Sequence, residues 1–363
     1  MQPTVTVFPL PPRLPFDPYL DHLYGAMTEP RVRIRRSGRA RSALLRLLTP
    51  HGARVWHLHF FDEVTQRRGR AAARLRTWGF VTLLRAASFT GAHIVWTVHN
   101  LEPHELWHAD LATRTYQEVL KRADAVIVHS RAAAAAFEAR YGRIARLEEI
   151  PHGAPRPVAN APYSRDVSRR RLGWPETACI VLGLGTLRRY KGFEDLIAAF
   201  AAVSRGHDRL VIAGRVADEA YAEELERLCS AVPGASFQPG FVADEDLPRL
   251  LSAADLVALP YRRVLTSGML MWPLSYAVPV LAPAFPTVEE LLVDGKSGFL
   301  YRPGDATGLR DALARALAHP ERGAIGRAGR DALGPREWSE TAARTASVYL
   351  RVAFARTGGS DAE

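Results

Sequence analysis

The feature that most constrains this chain is an alternation. Short apolar runs rich in β-branched residues are each followed by an amphipathic helical stretch, along most of the length. In the first half the runs are residues 4–8, 55–59, 93–98 and 125–129; in the second they are 180–184, 210–213, 256–259 and 278–282. Helical spacing of apolar residues marks 193–203, 219–231, 247–253 and 306–318. Strands that are apolar throughout are those buried on both faces, and β-then-α order joins parallel neighbours through crossover helices. At 363 residues, 47% of them apolar, the chain fills two cores of ordinary size. The stretch P-H-G-A-P-R-P-V-A-N-A-P-Y-S-R-D, rich in proline and small residues, separates the two series. The expected architecture is α/β, with two doubly wound Rossmann-like domains: residues 1–155, a linker at 156–172, and residues 173–335. The tail at 357–363 has the composition of a disordered segment.

Several classes are set aside by composition. Cys179 and Cys229 are too few for a disulfide framework and lack metal-type spacing, which suits a reducing compartment. No apolar run approaches the ~18 residues of a membrane span, and the first ten residues lack the basic start of an export signal. Net charge is +10 and unevenly placed: residues 1–150 hold 22 Lys+Arg against 13 Asp+Glu, whereas residues 172–363 hold 21 against 24. The clusters R-V-R-I-R-R-S-G-R-A-R (31–41) and R-R-G-R-A-A-A-R-L-R (67–76) suit a surface facing anionic lipid, a nucleic acid, or solvent alone. Nucleic acid fits least, because the clusters lack interleaved stacking aromatics and a recognisable motif.

In doubly wound folds ligands sit beyond the carboxyl ends of the strands, so the loops there carry the chemistry. One reads W-T-V-H-N-L-E-P-H-E-L-W-H, residues 96–108. His99 and Asn100 directly follow a strand, and Pro103 breaks the chain before the next helix. A metal reading would want converging ligands. His104 and His108 have i, i+4 spacing, but no cysteine or second acidic cluster joins them. Capping of backbone groups is the plain structural alternative. A sugar- or phosphate-facing role for His99, with His104 and Glu105 as acid/base candidates, is the functional one.

The second half has two such loops. In G-L-G-T-L-R-R-Y-K-G-F-E-D-L-I (183–197), Gly185 lets backbone approach a ligand, and Arg188 and Lys191 can neutralise a diphosphate. This is neither a complete dinucleotide fingerprint nor a Walker loop, and a solvated basic turn is the alternative. In L-P-Y-R-R-V-L-T-S-G-M-L-M-W-P-L-S-Y-A-V-P-V-L-A-P (259–283), Thr266, Ser267 and Gly268 open a short apolar helix whose free N–H groups form an anion site.

Taken together, T-V-H-N-L-E-P-H-E, L-R-R-Y-K-G, L-T-S-G-M-L-M-W-P-L-S-Y-A-V-P-V-L-A-P and the terminal R-E-W-S-E-T-A-A-R-T-A-S-V-Y-L resemble the GT-B glycosyltransferases, in particular the bacterial exopolysaccharide β-mannosyltransferases of xanthan-type assembly. The early F-D-P-Y-L-D-H-L-Y is similar to that group's opening. The resemblance implies an acceptor-binding first domain, a nucleotide-sugar-binding second domain, and a last helix, 336–356, returning to the first. It implies acceptor-side roles for Asp17, Tyr19, His59 and Asn100. Two positions depart from the larger retaining family: Val264 and Trp272 stand where that family has paired glutamates, and Thr186 stands where it has arginine, so that Arg188 takes that place beside Lys191.

The expected function is therefore transfer of a sugar, mannose from GDP-mannose favoured, to a lipid-linked saccharide in exopolysaccharide biosynthesis, with inversion. No metal or other cofactor is expected, because Arg188, Lys191 and the 266–268 turn would stabilise the leaving diphosphate. Expected partners are the donor, the acceptor and an anionic membrane surface, with no nucleic acid; the expected location is peripheral, on the cytoplasmic face of the inner membrane. The alternatives are a retaining enzyme using a UDP-sugar and a nucleotide-sugar 2-epimerase of the same fold.

Overall fold

The computed structural model describes residues 3–14, 17–36, 52–66, 69–103, 107–156 and 164–354. The chain divides into two compact units, Met1–Gly153 with Glu337–Glu363, and Ala154–Arg336. Each holds one six-stranded parallel sheet.

In the first unit the strands are β1 (Val5–Leu10), β2 (Val32–Ile34), β3 (Ala53–Leu58), β4 (His93–Thr97), β5 (Ala125–Val128) and β6 (Leu147–Glu149), in the order β2-β1-β3-β4-β5-β6. Successive side chains of a strand point to opposite faces. Val5, Val7, Val55, Val95, Ala125 and Ile127 pack on one face against Val348 and Tyr349 of the last helix, α13 (Trp338–Phe354). The neighbouring strand position Trp96 packs on Phe61, Tyr116 and Phe137, with ring centroids 5.5–5.8 Å apart. Tyr116 lies on α3 (Ala109–Arg122) and Phe137 on α4 (Arg131–Tyr141).

The second unit comprises β7 (Cys179–Leu184), β8 (Asp208–Gly214), β9 (Ala235–Pro239), β10 (Leu256–Ala258), β11 (Val280–Pro283) and β12 (Phe299–Tyr301), in the order β12-β11-β10-β7-β8-β9. The period of two is plain here. Ile180, Leu182, Leu184, Val211, Val257 and Val280 enter one core. Val181, Leu210, Ile212, Leu256, Leu281 and Phe299 enter the core on the other face.

The structure differs from the sequence reading in two respects. Four strands were not anticipated, β2, β6, β9 and β12, and they are the edge strands of the two sheets. The segment read as a linker, 156–172, ends in a helix, α5 (Arg165–Leu172), capped by Ser164 Oγ. Its Arg169 is fully buried and donates to the carbonyls of Ala253, Pro175, Glu176 and Ala178 and to Asp255 Oδ2 at 2.6–3.2 Å. A buried guanidinium needs a full set of acceptors, and those acceptors belong to the second unit, so α5 belongs there too. The tail at 357–363 lies outside the described residues.

Candidate functional site

In a parallel sheet all carboxyl ends share one edge. In the first unit that edge gathers histidines: His57 and His59 at the end of β3, His99 beyond β4, His129 after β5 and His152 beyond β6, all buried. Tyr19 and Tyr24 come from α1 (Tyr19–Gly25), and Tyr349 and Trp338 from α13. Trp338 fits because residue 153 is glycine: a Cβ there would lie 2.4 Å from its ring.

The hydrogen bonds assign the imidazole protons. His129 Nδ1 faces the Ile150 carbonyl at 2.8 Å and so carries hydrogen; its Nε2 accepts from the Tyr19 hydroxyl at 3.2 Å. His57 Nε2 donates to Thr97 Oγ1 at 2.8 Å, and its Nδ1 faces the hydroxyls of Tyr349 (2.5 Å) and Tyr24 (2.9 Å). With Tyr349 serving His57, Tyr24 donates to His59 Nε2 at 2.9 Å, and His59 Nδ1 donates to His99 Nε2 at 3.3 Å. That leaves His99 with hydrogen on Nδ1, which has no partner among the described residues. The His99 ring stacks on Phe60 with centroids 3.8 Å apart.

Three of these rings, His57, His59 and His99, are neutral at pH 7. Burial, then His129, holds His57 down to about 3. Burial followed by neighbouring histidines keeps His59 and His99 well below the ordinary 6.5. Burial also pushes the Tyr19, Tyr24 and Tyr349 phenols up, so each remains a donor. Among the described residues no group of three or more His, Cys, Asp or Glu is placed to hold a metal ion. Two of the predicted side chains cannot be placed, because His104 and Glu105 lie outside the described residues. Asp17 Oδ1 accepts the Tyr19 backbone N–H at 3.0 Å and so anchors the start of α1. Asn100 is half-buried beside His99.

At the carboxyl edge of the second sheet the same construction gathers cations. The chain leaves β7 through Gly185, turns through a 3-10 segment (Arg189–Lys191) and enters α6 (Phe193–Val203). Gly185 and Gly214 have φ of 140° and 153°, and a Cβ on Gly214 would lie 1.7 Å from the Gly185 carbonyl oxygen, so only glycine lets these turns touch. The approach sets Arg215 near Arg188. Burial first, then Arg188, lowers the Arg215 pKa. Two neighbouring guanidiniums favour an anion between or beside them.

Lys191 Nζ lies 3.9 Å from the Tyr261 ring centroid and 5.2 Å from that of Tyr190. It has no carboxylate partner among the described residues. By contrast, Arg189 is neutralised by Glu224 at 2.9 Å, and Arg262 by Glu194 and Asp195 at 2.8–2.9 Å. Tyr261 joins the two loops, because its hydroxyl lies 3.1 Å from Ser267 Oγ. Ser267 caps α9 (Gly268–Ser275) by accepting from the Leu270 N–H at 3.2 Å, and Gly268 opens that helix at the surface beside Thr266. Lys191 and Ser267 are thus brought together, with Tyr261 between them. Val264 and Trp272 pack on the apolar core rather than presenting polar groups.

Sequence reasoning missed Tyr24, His57, His129, His152, Trp338 and Tyr349 in the first unit, and Arg215 and Tyr261 in the second. Part of the signal was present: His129 directly follows the apolar run at 125–128, as His99 follows the run at 93–98, whereas His152 follows L-E-E-I-P and has no such mark. The tyrosine partners come from helices distant in sequence and leave no local trace.

Residues 164–331 match the family model described as glycosyl transferases group 1. Over 270 residues the chain is 28% identical to the GDP-mannose:glycolipid 4-beta-D-mannosyltransferase of Xanthomonas campestris pv. campestris, covering 74% of this chain and 70% of that protein. It is 31% identical over 239 residues to the GDP-mannose-dependent alpha-(1-6)-phosphatidylinositol monomannoside mannosyltransferase of Mycolicibacterium smegmatis, covering 62% of each. Among solved structures, Anabaena HepE in complex with UDP and glucose superposes with a TM-score of 0.69 at 17% identity, covering 96% of this chain and 99% of that one. WaaG, a glycosyltransferase involved in lipopolysaccharide biosynthesis, gives a TM-score of 0.64 at 16% identity, covering 98% and 100%. At such identities the structural likeness concerns the fold.

Proposed function

We propose that this chain, a glycosyltransferase with the GT-B fold and a group 1 glycosyltransferase domain at residues 164–331, transfers mannose from GDP-mannose to a lipid-linked saccharide in exopolysaccharide assembly, inverting the anomeric carbon. The observation that carries the reading is the Xanthomonas relative, whose name gives donor, glycolipid acceptor and β-linkage, and whose alignment spans 74% of this chain. The name of the Mycolicibacterium relative gives the same GDP-mannose donor, with a phosphatidylinositol monomannoside as its own acceptor.

In this reading Arg188, Arg215, Lys191 and the N-terminal end of α9 stabilise the departing diphosphate, and the transfer needs no metal. Tyr190 and Tyr261 hold the Lys191 ammonium by their faces, so it is positioned without being neutralised. His99 presents its Nδ1 hydrogen to a sugar oxygen. Glu105 is the base that takes the acceptor hydroxyl proton, with His104 second and Asp17 third. Replacement of paired glutamates by Val264 and Trp272 supports inversion, because the donor side then lacks the carboxylates of the retaining enzymes. No helix among the described residues is long and apolar enough to cross a membrane; the enzyme works peripherally at the cytoplasmic membrane face.

A thermal-shift panel of GDP, UDP, ADP and dTDP tests the donor, with GDP expected to give the largest shift. An equal or larger shift with UDP would replace the mannosyl reading by one with a UDP-sugar. NMR of the product tests stereochemistry: an α-linked product from the α-linked donor would mean retention.

A further inference from the structure

We propose that the outward face of α2 (Arg70–Phe89) is a docking surface for a bilayer carrying anionic headgroups. The inference deepens the lipid-linked acceptor reading and rests on it. Ala73, Thr77, Phe80, Leu84 and Ala87 are the buried residues of this helix, and their three- and four-residue spacing makes one stripe facing the unit's interior. At 100° per residue the opposite stripe is Ala71, Leu75, Trp78, Thr82, Ala86 and Phe89. A surface helix ordinarily places charged residues there. Here Leu75 and Trp78 are each 68% exposed and Phe89 is 92% exposed. The distance from Leu75 to Phe89 is about 21 Å at the helical rise, so the apolar stripe runs over most of the helix.

Charge identifies the occupant. The twenty residues contain four arginines and no aspartate or glutamate. Arg70 pairs with Asp110 at 2.7 Å and Arg85 with Glu118 at 3.1 Å, both on α3. Arg74 and Arg76 are exposed on either side of Leu75 and have no carboxylate partner among the described residues. In the basic stretch at 31–36, by comparison, Arg31 is held by Glu29 and Arg36 by Asp21. An apolar centre with cations at its sides matches a bilayer's layering of anionic headgroups over acyl chains, with tryptophan at the boundary. A second copy docking through the same face would set arginine against arginine, which disfavours self-pairing.

The test uses the full chain with phosphatidylcholine vesicles, with and without phosphatidylglycerol, in a sedimentation assay. The protein is expected to partition onto the phosphatidylglycerol vesicles and to be released by salt. Leu75→Ala combined with Trp78→Ala should lower partitioning about tenfold or more. Arg74→Gln and Arg76→Gln should each lower it about fivefold and flatten the salt dependence. Brominated lipids should quench the wild-type tryptophan fluorescence, and Trp78→Phe should bind yet lose most of that quenching. Circular dichroism and the GDP thermal shift should be unchanged in every variant, so an absent GDP shift would strike the donor reading and leave docking intact. Undiminished partitioning in the double-alanine variant would overturn the proposal. So would quenching that survives Trp78→Phe, or concentration-dependent self-association through this face without vesicle binding.

Discussion

The carboxyl edges of the two sheets are built from the same backbone and opposite electrostatics. On the first, five buried histidines are tied to tyrosines, a threonine, one another and backbone carbonyls, and burial keeps His57, His59 and His99 neutral. On the second, Lys191 keeps its charge against two aromatic faces, and Arg188 and Arg215 stand near one another. A neutral ring with one open N–H, as at His99, offers a directed hydrogen bond to a hydroxyl-bearing ligand, whereas the Lys191 ammonium, held by ring faces and by no carboxylate among the described residues, suits an anion. The difference also bears on proton transfer. Both ring nitrogens of His57, His59 and His129 are engaged, so none can take up a proton without breaking a bond in a buried network.

The largest expected effect follows from that saturation. If the histidine edge only orients, the base must come from the adjoining loop, and Glu105→Gln should lower turnover by about 10²- to 10⁴-fold with donor affinity nearly unchanged. Steady-state rates of the purified variant check this. A near-normal rate would move the base elsewhere and break the division between an orienting edge and a proton-accepting loop.

How much of this was legible in the sequence depended on burial. The eight interior strands read as apolar runs because helices cover both faces; Ile180–Leu184 is buried at every position. The four missed strands are edges, three to five residues long and partly solvated, such as Val32–Ile34 and Ala235–Pro239. Paired on one side only, β2, β6 and β9 carry no continuous apolar signature, whereas β12, apolar and buried at Phe299 and Leu300, is only three residues long. The site divided in the same way. Lys191 and Ser267 were visible as loop chemistry, but Tyr261 between them was not, because its role depends on two loops meeting in space. Likewise, Tyr24 and Tyr349 reach His57 across 33 and 292 positions.

On the cationic edge, Lys191→Ala should weaken GDP binding by about 1.5 to 3 kcal/mol, roughly 10- to 150-fold, measured by calorimetry. Unchanged affinity in a folded variant would reassign the site. Acid should act on the other edge. A buried neutral histidine takes up its proton more readily when unfolded, so its contribution is complete above the ordinary value of 6.5 and declines as pH falls below it, toward about 3 for His57. Lowering pH from 7 to 5 should therefore remove about 2 kcal/mol of stability for each such histidine. Urea melts at the two pH values measure the loss, which His57→Gln should reduce. An unaltered pH dependence in that variant would mean that His57 is charged in the folded protein.

The smallest effect separates the two tyrosines that serve the histidine edge. Tyr24 and Tyr349 are both buried, and both hydroxyls face His57 Nδ1. A single lone pair on that nitrogen accepts one of them. Removing the Tyr349 hydroxyl leaves Tyr24 2.9 Å away to replace it, and His59 Nε2 then competes for the same phenol. Tyr349→Phe should cost about 0.5 to 1.5 kcal/mol, the net worth of one hydrogen bond. Tyr24→Phe leaves Tyr349 on His57 but strips His59 Nε2 of its donor in a buried site, and an unsatisfied acceptor costs about 1 to 3 kcal/mol. It should therefore be the more destabilising change in thermal or urea unfolding. With its Nε2 unpaired, His59 is no longer held in the Nδ1–H tautomer and becomes able to switch, which withdraws the hydrogen it gives to His99 Nε2 at 3.3 Å. Nitrogen chemical shifts of the His99 ring would register that switch in Tyr24→Phe and not in Tyr349→Phe. Equal costs and identical His99 shifts in the two variants would mean that the tyrosines merely fill space, and the histidine edge would then differ from the cationic one in charge alone.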